Sequence, residues 1–136
     1  MRIAPRGLRT GYHNHDKEFH PSPSGELPWD AFFGTADPSV IMQFDTGNAL
    51  SGGGEAVPFL ARYPGRAITV HLKEYDPATK SFAPPIGRGG VPFEQVFAEC
   101  ESSGGTRWYI VEYEDPALDP FDGIEQCLAG LRALGK

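Results

Sequence analysis

The feature that most constrains this chain is an alternation. Four short apolar runs, Leu8–His15, Val40–Asp45, Ala67–Tyr75 and Arg107–Glu114, are each followed by a loop and a stretch with helical signals. Those stretches run from Pro28 or Trp29 to Phe33, Glu55 to Tyr63, Pro92 to Ser102 and Phe121 to Leu134. In the third, Phe93, Val96, Phe97 and Cys100 recur at helical spacing. In the fourth, Ile124, Leu128, Leu131 and Leu134 share one stripe and Gly135 supplies a stop. Gly52-Gly53-Gly54, Pro64-Gly65 and Gly104-Gly105 punctuate the pattern, and Asp76–Gly90 is a long loop. The order βαβαβαβα predicts a parallel sheet with right-handed crossovers. The continuous runs Val40-Ile41-Met42 and Trp108-Tyr109-Ile110-Val111 suit strands covered on both faces.

At 136 residues the chain is long enough for one domain with a modest core. No apolar run approaches the ~20 residues of a membrane helix. The first ten residues, MRIAPRGLRT, lack the apolar centre of a secretory signal. Twelve basic against eighteen acidic residues give a net charge of −6, which speaks against a nucleic-acid partner. Cys100 and Cys127 fall inside helical stretches without a Cys-x-x-Cys pair, as expected of buried thiols in a reducing, cytoplasmic setting.

The apolar runs end in polar residues. Side chains two apart on a strand share a face, which pairs His13 with His15, Gln43 with Asp45, His71 with Lys73 and Glu112 with Glu114. In parallel α/β folds, ligands gather at the C-terminal ends of the strands. Burying such charges is costly unless they have a task. Imidazoles mixed with carboxylates suit Mn²⁺, Co²⁺, Zn²⁺ or Fe²⁺ better than Mg²⁺, which prefers oxygen.

The segments GYHNHDKEF, QFDTGNAL, VHLKEY and WYIVEYE, taken in order, resemble the second half of the xylose isomerase-like TIM barrels. That superfamily holds sugar-phosphate isomerases and epimerases, hydroxypyruvate isomerases and inosose dehydratases, with endonuclease IV as a distant relative. The resemblance covers about Leu8 to Leu134. It implies a divalent metal held by Asp45, His71 and Glu112, with His13 where many members carry a glutamate. It also implies catalytic roles for Glu112, His15 and Lys73, substrate contacts from Asn14, His15 and Lys73, and proton transfer next to the carbonyl of a keto-sugar, sugar phosphate or polyol. Asn48 stands where several relatives have histidine. With His13 replacing a carboxylate, a dehydratase or lyase outcome gains ground over symmetric two-glutamate epimerisation. His15, Glu18 or Glu114 are then the candidates for the second proton carrier.

Two further expectations follow. Arg88, in Gly87-Arg88-Gly89-Gly90, reads as a phosphate or sugar contact, or else the segment is only a turn. A full barrel has eight strands, so this (βα)4 half-barrel leaves two edges and an inner face open. It is expected to be completed by a second copy as a homodimer or higher oligomer, to flatten into an open sheet covered by helices, or to be part of a truncated (βα)8 barrel. A non-catalytic half-barrel used for assembly or carbohydrate binding is the alternative.

Overall fold

The computed structural model describes residues 4–136. The N-terminal expectation therefore bears partly on residues 1–3, which lie outside the described residues. The strands are β1 (Gly11–His13), β2 (Ile41–Asp45), β3 (Thr69–Leu72) and β4 (Trp108–Val111). They form one parallel sheet in the order β1-β2-β3-β4. The helices are α1 (Pro28–Thr35), α2 (Thr46–Ser51), α3 (Ala56–Arg62), α4 (Phe93–Glu99) and α5 (Pro120–Ala133). The predicted βα alternation is present, with α2 as an addition between β2 and α3.

Alternation along the strands decides what is core. Met42, Phe44, Val70 and Leu72 point to the helices and are fully buried. They meet Trp29, Phe33, Leu60, Val96 and Phe97 from the helical layer. Phe19, Trp29, Phe33, Phe44 and Phe59 form a chain of edge and tilted ring contacts with centroids 4.3–5.9 Å apart. Phe19 and Trp29 are thus core residues, as their apolar bulk favours. Cys100 and Cys127 are free and buried, as expected.

The opposite sheet face is open, which corrects the expectation that these strands are covered on both sides. Trp108 is 68% exposed and Ile110 37%, on the face that also carries Glu112. Two apolar faces need two covering layers, and among the described residues one helical layer is present.

Local chemistry explains the element ends. Asp119 accepts the Phe121 N–H at 2.9 Å, and Pro120 opens α5 where its missing donor costs nothing. After α4 the chain makes one wider π-type turn (Cys100–Gly104), closed by Gly105 at φ 68°, a conformation that favours glycine. Among the described residues, no helix is long and apolar enough to cross a membrane.

Candidate metal centre

The C-terminal ends of the four strands deliver His13, Asp45, His71 and Glu112 to one spot, with one ligand atom from each lying within 4.8 Å of all the others. The pairing register explains the convergence. His13 sits beside Gln43, and Asp45 beside His71. Successive strands therefore present their inward side chains at staggered heights, as barrel shear requires.

Asp45 is fully buried. Its Oδ1 accepts the Asn48 N–H at 2.7 Å as the N-cap of α2. Its Oδ2 has no hydrogen-bond partner and lies 3.8 Å from His13 Nε2. Burial pushes this carboxyl up to about 7, against the pull of the Asn48 amide. Burial also lowers the His13 pKa, assisted by the nearby His71. That favours the neutral imidazole, the form that ligates metals.

Glu112 is tied on both oxygens, Oε2 to His71 Nδ1 at 2.6 Å and Oε1 to Lys73 Nζ at 2.9 Å. Burial pushes its pKa upward, but these two partners outweigh that and hold it below the ordinary value. Lys73 also meets Glu114 at 2.8 Å and lies over the Phe82 ring at 4.7 Å. Burial pulls the ammonium down, while Glu114 and Glu112 hold it above its ordinary value.

The donor set fits a divalent cation. Buried polar atoms without partners are rare. Four side-chain atoms of that kind occur among the described residues, and two of them, Asp45 Oδ2 and His13 Nδ1, belong to this cluster. Two imidazoles and two carboxylates match the mixed nitrogen and oxygen preference of first-row divalent metals.

Other sequence expectations meet different geometry. His15 is exposed beside His13, its ring edge-on with centroids 5.4 Å apart. Glu18 accepts the Tyr12 hydroxyl at 2.5 Å and the His15 N–H at 2.9 Å. Asn14, expected among substrate contacts, is fully buried and locks β1 to β2 instead. Its Oδ1 accepts the Asp45 N–H at 2.8 Å and its Nδ2 donates to the Asp45 carbonyl at 3.0 Å. Asn48 donates to the Asn14 carbonyl at 3.2 Å.

Arg88, also expected at the substrate, lines a separate 680 Å³ cavity against α5 that none of the four ligands touches. The amides of Gly87, Arg88 and Gly90 in its loop are already engaged, Arg88 donating to the Pro85 carbonyl. The Gly87 and Val91 N–H groups donate to Glu74, and Gly90 donates to the Tyr75 carbonyl. The loop amides thus cradle an internal carboxylate.

Glu74 and Thr46 were not singled out from sequence. Thr46 Oγ1 donates to the Lys73 carbonyl at 2.7 Å and accepts the Lys73 N–H at 3.1 Å, fixing the end of β3 beside Asp45. The Asp-Thr-Gly-Asn run held a signal for this arrangement, since an aspartate before a polar turn is a helix cap.

A family model described as a xylose isomerase-like TIM barrel matches residues 2–134. The chain belongs to that family. It is 35% identical over 115 residues to an inosose dehydratase of Klebsiella pneumoniae, covering 68% of this chain and 38% of that protein. An inosose dehydratase of Bacillus anthracis is 29% identical over 136 residues, covering 86% of this chain and 45% of the other. A sugar phosphate isomerase/epimerase structure from Parabacteroides distasonis superposes with a TM-score of 0.80 at 28% identity, over 96% of this chain and 46% of that one. The IolI protein, solved with a zinc atom, has a TM-score of 0.70 at 14% identity and speaks to the fold alone. The chain therefore spans less than half the length of the curated relatives it matches.

Proposed function

We propose that this chain forms one half-barrel domain carrying a divalent-metal centre, held by His13, Asp45, His71 and Glu112, that serves proton transfer next to the carbonyl of a sugar or polyol. The observation that carries the reading is the convergence of four ligand-type side chains from four strands, two of them with buried atoms lacking a partner. The names of the relatives, sugar phosphate isomerase/epimerase and inosose dehydratase, support a carbohydrate substrate.

A bound divalent ion supplies Lewis-acid polarisation of a carbonyl oxygen and so lowers the cost of charge building on it. The chain's residues supply the rest. Glu112, kept ionised by Lys73 and His71, accepts the proton from the carbon beside the carbonyl. Lys73 is 3% exposed and engaged by two glutamates, so it positions and charges the base. His15, exposed and edge-on to His13, is our candidate to return a proton. Phe82, partly exposed beside Lys73, offers a face for a sugar ring.

A second reading, loss of water from a keto-polyol, has its own support. The site pairs the Glu112 carboxylate with an exposed histidine outside the ligand set, His15. Unlike groups suit an elimination, in which one takes a carbon-bound proton and the other protonates the departing hydroxyl. Epimerisation is better served by two like carboxylates.

The test is proton magnetic resonance of a 2-keto-polyol in D₂O with chelator-treated, metal-free protein, then with Mn²⁺ or Zn²⁺ added. Deuterium should enter beside the carbonyl only with metal, and Glu112→Gln should slow it by on the order of 100-fold or more. Loss of water would mark the dehydratase outcome. Metal binding without any exchange would contradict the enzymatic reading and leave a carbohydrate-binding half-barrel.

A further inference from the structure

Lys73 is a buried ammonium held between two carboxylates. Its side chain is 4% exposed. Nζ lies 2.9 Å from Glu112 Oε1 and 2.8 Å from Glu114 Oε2. Phe82 covers it from a further side, with the ring centroid 4.7 Å away. That cover is itself fixed. The Phe82 ring packs on Tyr75 with centroids 5.0 Å apart, and the neighbouring Ala83 carbonyl accepts the Tyr113 hydroxyl at 2.9 Å. Lysine is almost never buried to this degree unless paired, and charges shut off from water are weakly screened.

The two glutamates are not equivalent. Glu112 belongs to the ligand cluster, whereas Glu114 stands outside it with its side chain 59% exposed. Both oxygens of Glu112 are engaged, one by His71 and one by Lys73. Holding a divalent ion on Glu112 therefore brings that ion up against the ammonium, like charge to like. The charge count shows the same conflict. Ionised Asp45 and Glu112, with neutral imidazoles, balance a divalent ion, and Lys73 then adds one positive charge. Glu114 cancels it.

We propose that Glu114 is a positioning residue for the metal centre, drawing the Lys73 ammonium away from Glu112 and neutralising it when a divalent ion is held. The inference rests on the metal centre proposed above. Glu114 follows Glu112 by two residues, just past the end of β4, and side chains at that spacing share a face. Both carboxylates therefore reach Nζ at once, and the ammonium can leave one without becoming unpaired. Before an ion arrives, Lys73 keeps Glu112 from standing as a lone buried charge. Once it arrives, Glu114 alone satisfies the lysine. This task differs from returning a proton to substrate.

Titration calorimetry with Mn²⁺ and with Zn²⁺ tests this on the wild-type chain, Glu114→Gln, Lys73→Met and the double variant. Glu114→Gln should raise the dissociation constant by on the order of 10-fold or more, and Lys73→Met should lower it. In the Lys73→Met background, Glu114→Gln should shift it by less than about 3-fold, because no ammonium is left to neutralise. Lys73→Gln, which keeps a donor for Glu112, serves as a second background and should give the same loss of effect. Far-ultraviolet circular dichroism should not change in Glu114→Gln, since that side chain is on the surface. Equal weakening by Glu114→Gln in all backgrounds overturns the proposal, because the glutamate would then act on the ion directly. So does an unchanged dissociation constant in Glu114→Gln, or weaker binding in Lys73→Met. A wild-type chain that binds neither ion removes the metal centre and this inference together. A wild-type chain that binds without this coupling removes the inference alone.

Discussion

Asp45 uses its two oxygens for different tasks. One caps α2 through the Asn48 amide, and the other is buried without a partner among the ligands. The second oxygen makes the residue a liability without a cation. Its pKa rises from 3.8 to about 7 in the folded chain, so folding takes up a proton between those values. Stability contributed by this group is therefore present below about pH 4 and lost as pH rises towards 7. Asp45→Asn keeps the cap acceptor and removes the charge. In chelator the variant should be more stable than wild type near pH 8, by on the order of 2–4 kcal/mol, with little difference near pH 4. Chemical denaturation at both pH values checks this, and a difference independent of pH contradicts it. The same substitution should weaken metal binding. The convergence of His13, Asp45, His71 and Glu112 was legible because each ends an apolar run and strand periodicity puts them on one face. Asn14 was misread because its neighbours His13 and His15 are polar too. Only the pairing of β1 with β2 shows that Asn14 faces the backbone of Asp45.

Among the elements, strand and helix order was legible, while strand ends and α2 were not. Thr46–Ser51 contains threonine, glycine, asparagine and serine, which are poor helix formers. It is helical because Asp45 caps it and the fold buries Thr46, Gly47, Asn48 and Ala49. Gly47 is required there, since a Cβ would lie 2.8 Å from the Glu74 carbonyl oxygen and 2.9 Å from that of Lys73. The third apolar run stops being strand at Leu72 because Thr46 takes the Lys73 backbone and Glu74 turns inward. Glu74 is 2% exposed and accepts three backbone N–H groups, from Tyr75, Gly87 and Val91. Its task depends on where a loop thirteen residues away returns, which no local pattern encodes. Glu74→Ala should cost about 3 kcal/mol or more, since it strands buried donors. Hydrogen exchange should then accelerate first at Gly87 and Val91. Unchanged protection there would show that the carboxylate does not hold the loop.

At the scale of the molecule, the chain folds as four βα units that carry all four residues of the proposed metal site. All four proposed ligands stand at the ends of these four strands, one at each, so the proposed site is assembled within the described residues. The open inner face and the apolar edges concern closure, and they were foreseeable from the strand count alone. Which side chains stand exposed there was not, because the exposure of Phe121 and Trp108 depends on the packing of α5 and β4. A cation at the centre would join all four strands, and a ligand at 100 times its dissociation constant adds ~2.7 kcal/mol of stability. The most direct measurement is titration calorimetry of the chain with Mn²⁺, Co²⁺ and Zn²⁺ near neutral pH. The account predicts one saturable site per chain for at least one of these ions, abolished by Asp45→Ala and by His71→Ala. The absence of a saturable site near one equivalent, or an undiminished site in both variants, would contradict it.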